Sequence, residues 1–145
     1  MACISWRYFI LLLFSVELTY CYLTEAQIKA TQKLIRRTCK TKAKITNEEE
    51  LDRLPKGNWD DVSHTSRCYL HCCLSMLKVI NSDGFIDLEA GMRQSAILPP
   101  ERRASSEIAI DTCKDKGEGL TDKCDIAYEI AKCLYDFEPK FYLIP

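Results

Sequence analysis

Six consecutive residues, Cys68-Tyr69-Leu70-His71-Cys72-Cys73, hold three thiols and one of the two imidazoles in the 145-residue chain. Thiolate and imidazole are the ligands that zinc prefers, yet four ligands packed into one and a half helical turns cannot surround an ion tetrahedrally. Disulfide chemistry suits the stretch better. Cys68 and Cys72 are four apart, so on a helix they occupy one face, one turn apart. A bridge between them is geometrically poor there, so each is expected to reach a different neighbouring segment. The sequence supplies Cys39 upstream and Cys113, Cys124 and Cys133 downstream.

Catalytic constellations are thin. His64 and His71 are the only histidines, and neither accompanies a convincing serine nucleophile turn. A secreted phospholipase would need an aspartate where Cys72 follows His71, and a glycine-rich calcium loop upstream. The Asn81–Ala90 segment imitates a calcium loop, but placing Gly84 at the invariant glycine puts Val79 and Ala90 at ligand positions that need oxygen. No catalytic residue, metal ligand or cofactor site is therefore assigned.

The amino terminus reads as a secretory leader: Arg7, an apolar run from Tyr8 to Val16, then smaller and polar residues. That run is far short of the roughly 20 apolar residues that span a bilayer. Cleavage after Cys21 places Thr19 and Cys21 at the small-residue positions and removes Cys3 with Cys21. Residues 1–21 are then leader and 22–145 a single domain. Loss of Arg7 and Glu17 leaves the formal net charge at −1, so no global field points to nucleic acid. Seven cysteines remain in a chain expected to be secreted and extracellular, which favours three bridges and one free thiol.

The elements that position these cysteines are helical. Thr24 and Gln27 form a capping box with a Leu23/Ile28 staple. The following pattern puts Ile28, Thr31, Leu34, Ile35, Thr38 and Cys39 on one face, and Lys29, Lys33, Arg36, Arg37 and Lys40 on the other. A short helix opens at Thr46 or Asn47, carries Glu48, Glu49 and Glu50 in its first turn, and ends near Pro55 and Gly57. Ser63 caps a third helix expected to run to about Asn81, and Asn81–Gly84 is a turn. Asp87 caps a fourth helix through Leu88, Met92 and Ile97, and Pro99-Pro100 starts a fifth that carries Ile108, Ile110 and Cys113. Gly117 to Gly119 ends it, and a sixth runs from Asp122 to about Phe137. No run alternates long enough for a sheet, so the expected fold is all-α.

Written as spacings, the framework is Cys39-x28-Cys68-x3-Cys72-x40-Cys113-x10-Cys124-x8-Cys133. With the opening LTEAQIKATQKLIRRTC, the CYLHC centre and the closing CDIAYEIAKCLYDFEPKF, it resembles the six-cysteine insect odorant-binding proteins, over the whole of 22–145. Sequence alone leaves fifteen pairings open. The resemblance implies Cys39–Cys72, Cys68–Cys124 and Cys113–Cys133, interlocked around six helices and an apolar cavity. Cys73 departs from the pattern and is read as a small buried hydrophobe, with mispairing or a dimer through its thiol as the alternative. The resemblance further implies reversible, non-catalytic carriage of small hydrophobic molecules, odorants or pheromone-like compounds. A same-fold carrier of a lipid, hormone or host-derived compound, and a secreted structural or inhibitory protein with a filled core, are the alternatives.

Helix-face apolar residues are the candidates for the pocket: Met76, Leu77, Ile80, Phe85, Leu88, Met92, Ile97, Ile108, Tyr128 and Ala131, with the Tyr128 hydroxyl as an orienting donor. The tail, Pro139 to Pro145, is unusually apolar for a chain end. It is expected to fold back so that Phe141, Tyr142 and Leu143 form pocket wall, and protonation of His64 or His71 to loosen it. The basic stripe of the first helix, continued by Lys42 and Lys44, is read as a solvated face, with docking to an olfactory receptor or an acidic membrane surface as the minor reading. A monomer or weak homodimer completes the expectation.

Overall fold

The computed structural model describes residues 22–145; the leader, with Cys3 and Cys21, lies outside them. Six α-helices follow in order: α1 Glu25–Lys42, α2 Glu48–Arg53, α3 His64–Met76, α4 Leu88–Ala96, α5 Pro100–Cys113 and α6 Lys123–Phe137. Two 3-10 turns, Leu54–Lys56 and Pro139–Phe141, complete the regular structure. The starts obey local chemistry. Thr24 and Gln27 make the full capping box of α1, while Asn47, Ser63, Asp87 and Asp122 each accept backbone N–H groups from the first turn of α2, α3, α4 and α6. Pro100 opens α5, where the missing N–H costs nothing.

The third helix is shorter than its apolar pattern suggests. It stops at Met76, Lys78 takes a left-handed φ of 56°, and Ile80 pairs with Ile86 in an isolated antiparallel bridge. The left-handed Lys78 closes the helix, with its N–H on the Ser75 carbonyl at 3.1 Å and the Val79 N–H on the Leu74 carbonyl at 3.3 Å. Beyond it the Asn81 side-chain oxygen accepts from the N–H groups of Asp83 at 2.9 Å and Phe85 at 3.2 Å and shapes the turn to Ile86.

Helices α3 and α6 form the central pair. Tyr69, Leu70, Leu74, Ile126, Ala127, Ile130 and Ala131 meet there with almost no exposure. Of the three disulfides, Cys68–Cys124 locks α3 to α6 within this pair, while Cys39–Cys72 holds α1 to α3 and Cys113–Cys133 holds α5 to α6. Cys68 and Cys72 thus take different partners, in the pairing that the resemblance implies. Cys73 is free and fully buried. Two of the five cations in the basic stripe of α1 have a structural use: Arg36 pairs with Asp52, and Lys40 with Glu48, which fastens α2 to α1.

Candidate ligand cavity

Between the central pair and the α4–α5 hairpin lies a cavity of about 370 Å³, within the range of small-molecule sites. At its edge Gly91 brings α4 close to α5, since a Cβ there would sit 3.1 Å from Ile110 Cγ2.

Each wall comes from one face of one element. Ile28 and Ile35, seven apart on α1, line one side with Thr31 and Gln32 between them. Leu74, Met76 and Leu77 contribute the end of α3, and Val79 and Ile86 the bridged turn that follows. Ala109 and Ile110 of α5 face them, with Ser105 and Ser106 one turn earlier, and Leu134 supplies the contact from α6.

The tail closes the remaining side. Phe141, Tyr142, Leu143 and Ile144 all reach the cavity, and Ile144 is 4% exposed. Gln32 Nε2 donates to the Leu143 carbonyl at 3.1 Å, and the Tyr69 hydroxyl donates to the Pro145 carbonyl. The Arg102 guanidinium, held by both oxygens of Glu25 at 2.8 Å, sits 5.1 Å over the Phe141 ring. Tyr142 inserts its ring edge-to-face between Trp59 and Tyr135. Its hydroxyl lies among Cys73, Tyr69 and Tyr135, and is buried without a hydrogen-bond partner among the described residues.

Of the residues expected at the pocket, Met76, Leu77, Ile97, Phe141, Tyr142 and Leu143 are brought together on the wall. The other seven are placed elsewhere. Ile108 is 57% exposed, turned about 100° round α5 from the buried Ala109, and Leu88, the first residue of α4, is 39% exposed. Met92 is rotated likewise from Gly91 and packs on the core, as do Ile80 and Phe85 in the bridged turn. Ala131 is wholly enclosed between α3 and α6. Tyr128 faces away from the cavity: its hydroxyl donates to the Trp59 carbonyl at 2.7 Å and its ring stacks beneath Arg67. The α1 wall was missed, although the Ile28/Ile35 repeat beside Thr31 and Gln32 was the available signal.

The histidines sit beside the start of α6. His64 Nε2 is 3.1 Å from Asp122 Oδ2 at the start of α6. His71 is also near Asp122 and Lys123; burial, then the Lys123 charge, depresses its pKa. The tail leaves the opposite end of α6 and folds back as far as Tyr69. His64, Asp122 and Asp125 cluster closely enough for a cation, but Asp125 is taken by Arg67 at 2.9 Å and Asp122 by its capping bonds. Cys68 and Cys72, half of the sequence-level zinc set, have their sulfurs in disulfides.

Comparison with known proteins places this arrangement. Residues 21–136 match the PBP/GOBP family. General odorant-binding protein 72 of Anopheles gambiae is 28% identical over 120 residues, covering 82% of this chain and 97% of its own. General odorant-binding protein 19a of Drosophila melanogaster is 32% identical over 114 residues, 77% of each chain. Among solved structures, Apis mellifera odorant binding protein 5 superposes with a TM-score of 0.74 at 26% identity, covering 86% of this chain and 99% of that one. Odorant binding protein 7 from Anopheles gambiae, with four disulfide bridges and in complex with an azo compound, gives 0.66 at 25% identity, covering 84% and 96%.

Proposed function

Because this chain belongs to the PBP/GOBP family, whose odorant-binding members are non-catalytic carriers of small hydrophobic molecules, we propose that it takes up odorant-like compounds reversibly in the cavity between α1, α3, α4, α5 and the tail. The observation that carries this reading is the cavity itself: about 370 Å³, walled mostly by Ile, Leu, Val and aromatic side chains. An apolar compound leaving water for such walls gains about 25 cal/mol per Å² buried, and no bond to it need form or break. The complex of the Anopheles gambiae relative with an azo compound supports the same use of the fold. Action outside the cell belongs to the proposal. It is supported by the leader-like residues 1–21, by a family match that begins at residue 21, and by three disulfides. Among the described residues no helix is long and apolar enough to cross a membrane.

The test is saturable uptake of the fluorescent apolar probe N-phenyl-1-naphthylamine by protein spanning Tyr22 to Pro145. Ile97→Trp is the informative variant, since Ile97 reaches the cavity yet is 42% exposed and can grow without disturbing the core. Probe affinity is expected to fall at least about fivefold at unchanged helicity, as added bulk in a shaped pocket costs about 1–3 kcal/mol. Unchanged affinity would move the ligand elsewhere.

A further inference from the structure

Four polar side chains of the cavity are gathered at one end; Thr31, Gln32 and Glu138 also line it, and Gln32 is spent on the Leu143 carbonyl. Helices α4 and α5 touch at Gly91 and Ile110, and the short link 97–99 joins them. One turn from that contact towards the link brings Gln94 and Ser95 of α4 opposite Ser106 and Ser105 of α5, and all four line the cavity. Ser95 is spent, its hydroxyl donating to the Gly91 carbonyl at 3.1 Å. The hydroxyls of Ser105 and Ser106 make no such bond to the preceding turn, and the Gln94 amide bonds to no group among the described residues. All three are half-buried. They are therefore polar groups turned to the cavity with their hydrogen-bonding capacity free.

The charge of the lining is as selective as its polarity. Among the described residues no Lys, Arg or His contributes to the wall, and the one carboxylate there is Glu138. A carboxylate ligand would find no cation and one like charge, with the desolvation cost of an ion uncompensated.

We propose that the α4–α5 end of the cavity is a head-group subsite: the ligands are neutral amphiphiles, an apolar body with a single hydroxyl or carbonyl group held by Gln94, Ser105 and Ser106. This rests on the carrier reading and narrows it to a chemical class. The apolar body extends along Ile28, Ile35, Leu74 and Ile110 towards the tail, while the head group exchanges bonds with water for bonds with these side chains.

The experiment measures displacement of N-phenyl-1-naphthylamine by decane, 1-decanol, 2-decanone and decanoate at neutral pH. It compares the Tyr22–Pro145 protein with Ser105→Ala/Ser106→Ala and with Gln94→Leu. The readout is the change in affinity from parent to variant for each ligand, which cancels differences in ligand solubility. Decanol and decanone are expected to lose about three- to tenfold on substitution, one or two net hydrogen bonds' worth, while decane is unchanged and so reports that the cavity is intact. Decanoate is expected to be the weakest competitor of the four in the parent. Equal losses for decane and decanol, or none for either, would overturn the subsite while leaving the carrier reading standing, as would decanoate binding as well as decanol. Failure of the parent to take up the probe would sink both.

Discussion

Three acidic side chains meet under the tail, and burial keeps each neutral. Desolvation pushes the Cys73 thiol up to about 12 from an ordinary 9.0. It also raises the Tyr69 and Tyr142 phenols above their ordinary 10.0, with the neighbouring Cys73 acting in the same direction. For an acid whose folded pKa lies above its unfolded one, stability is complete below the unfolded value and is lost as pH rises towards the folded value. The melting temperature should therefore hold from neutral pH to about 8.5 and fall from about pH 9 upward, and Cys73→Ala should remove the first part of that fall. A flat profile to pH 10 would contradict the burial of this thiol. The Tyr142 hydroxyl permits a second test. A buried hydroxyl without a partner costs about 1–3 kcal/mol, so Tyr142→Phe should keep or raise stability in chemical denaturation. A clear loss would show that the hydroxyl has a partner.

At the level of elements, the disulfides and the tail divide the work. Each bridge closes a loop of 20 to 56 residues, for which chain entropy gives about 3–4 kcal/mol apiece; together they offset the packing lost around the cavity. The tail is held by single contacts on Gln32, Tyr69 and Arg102 and by the insertion of Tyr142. Deleting Phe141 to Pro145 should leave the helix signal in circular dichroism in place, because all three bridges lie upstream, yet lower probe affinity several-fold. Intact affinity would take the tail out of the wall. Helix starts were legible because they depend on residues within one turn: Thr24 with Gln27, Asn47, Ser63, Asp87 and Asp122; the disulfide pairing, between residues 20 to 56 apart, came only from the family resemblance. The end of α3 was less legible because Val79-Ile80 fits the apolar period of a helix, while Lys78 takes the left-handed conformation that closes it with no glycine to signal the stop. Pocket residues were the hardest to read. A helix shows one apolar stripe, and whether a position on it meets another helix, as Ala131 does, or open space, as Ile110 does, depends on how far apart the neighbours stand.

For the whole molecule, the cavity is a deficit of contacts that a ligand can restore. Side chains around a void lose the dispersion partners they would have in a filled core, and the structure tolerates this because its bridges have already reduced the freedom of the unfolded chain. Binding should then appear as stability. A ligand that binds only the folded chain adds about 2.7 kcal/mol at 100 times its dissociation constant, which for a domain of this size raises the melting temperature by on the order of 10 °C. Saturating 1-decanol should give a shift of that order in the parent protein, and a clearly smaller one in Ile97→Trp, where bulk already occupies part of the space. The two effects have different sources, ligand affinity and cavity volume, so the comparison separates them. A parent that takes up the fluorescent probe but melts at the same temperature with and without ligand would mean that the ligand sits on the outside, bound equally by folded and unfolded chains.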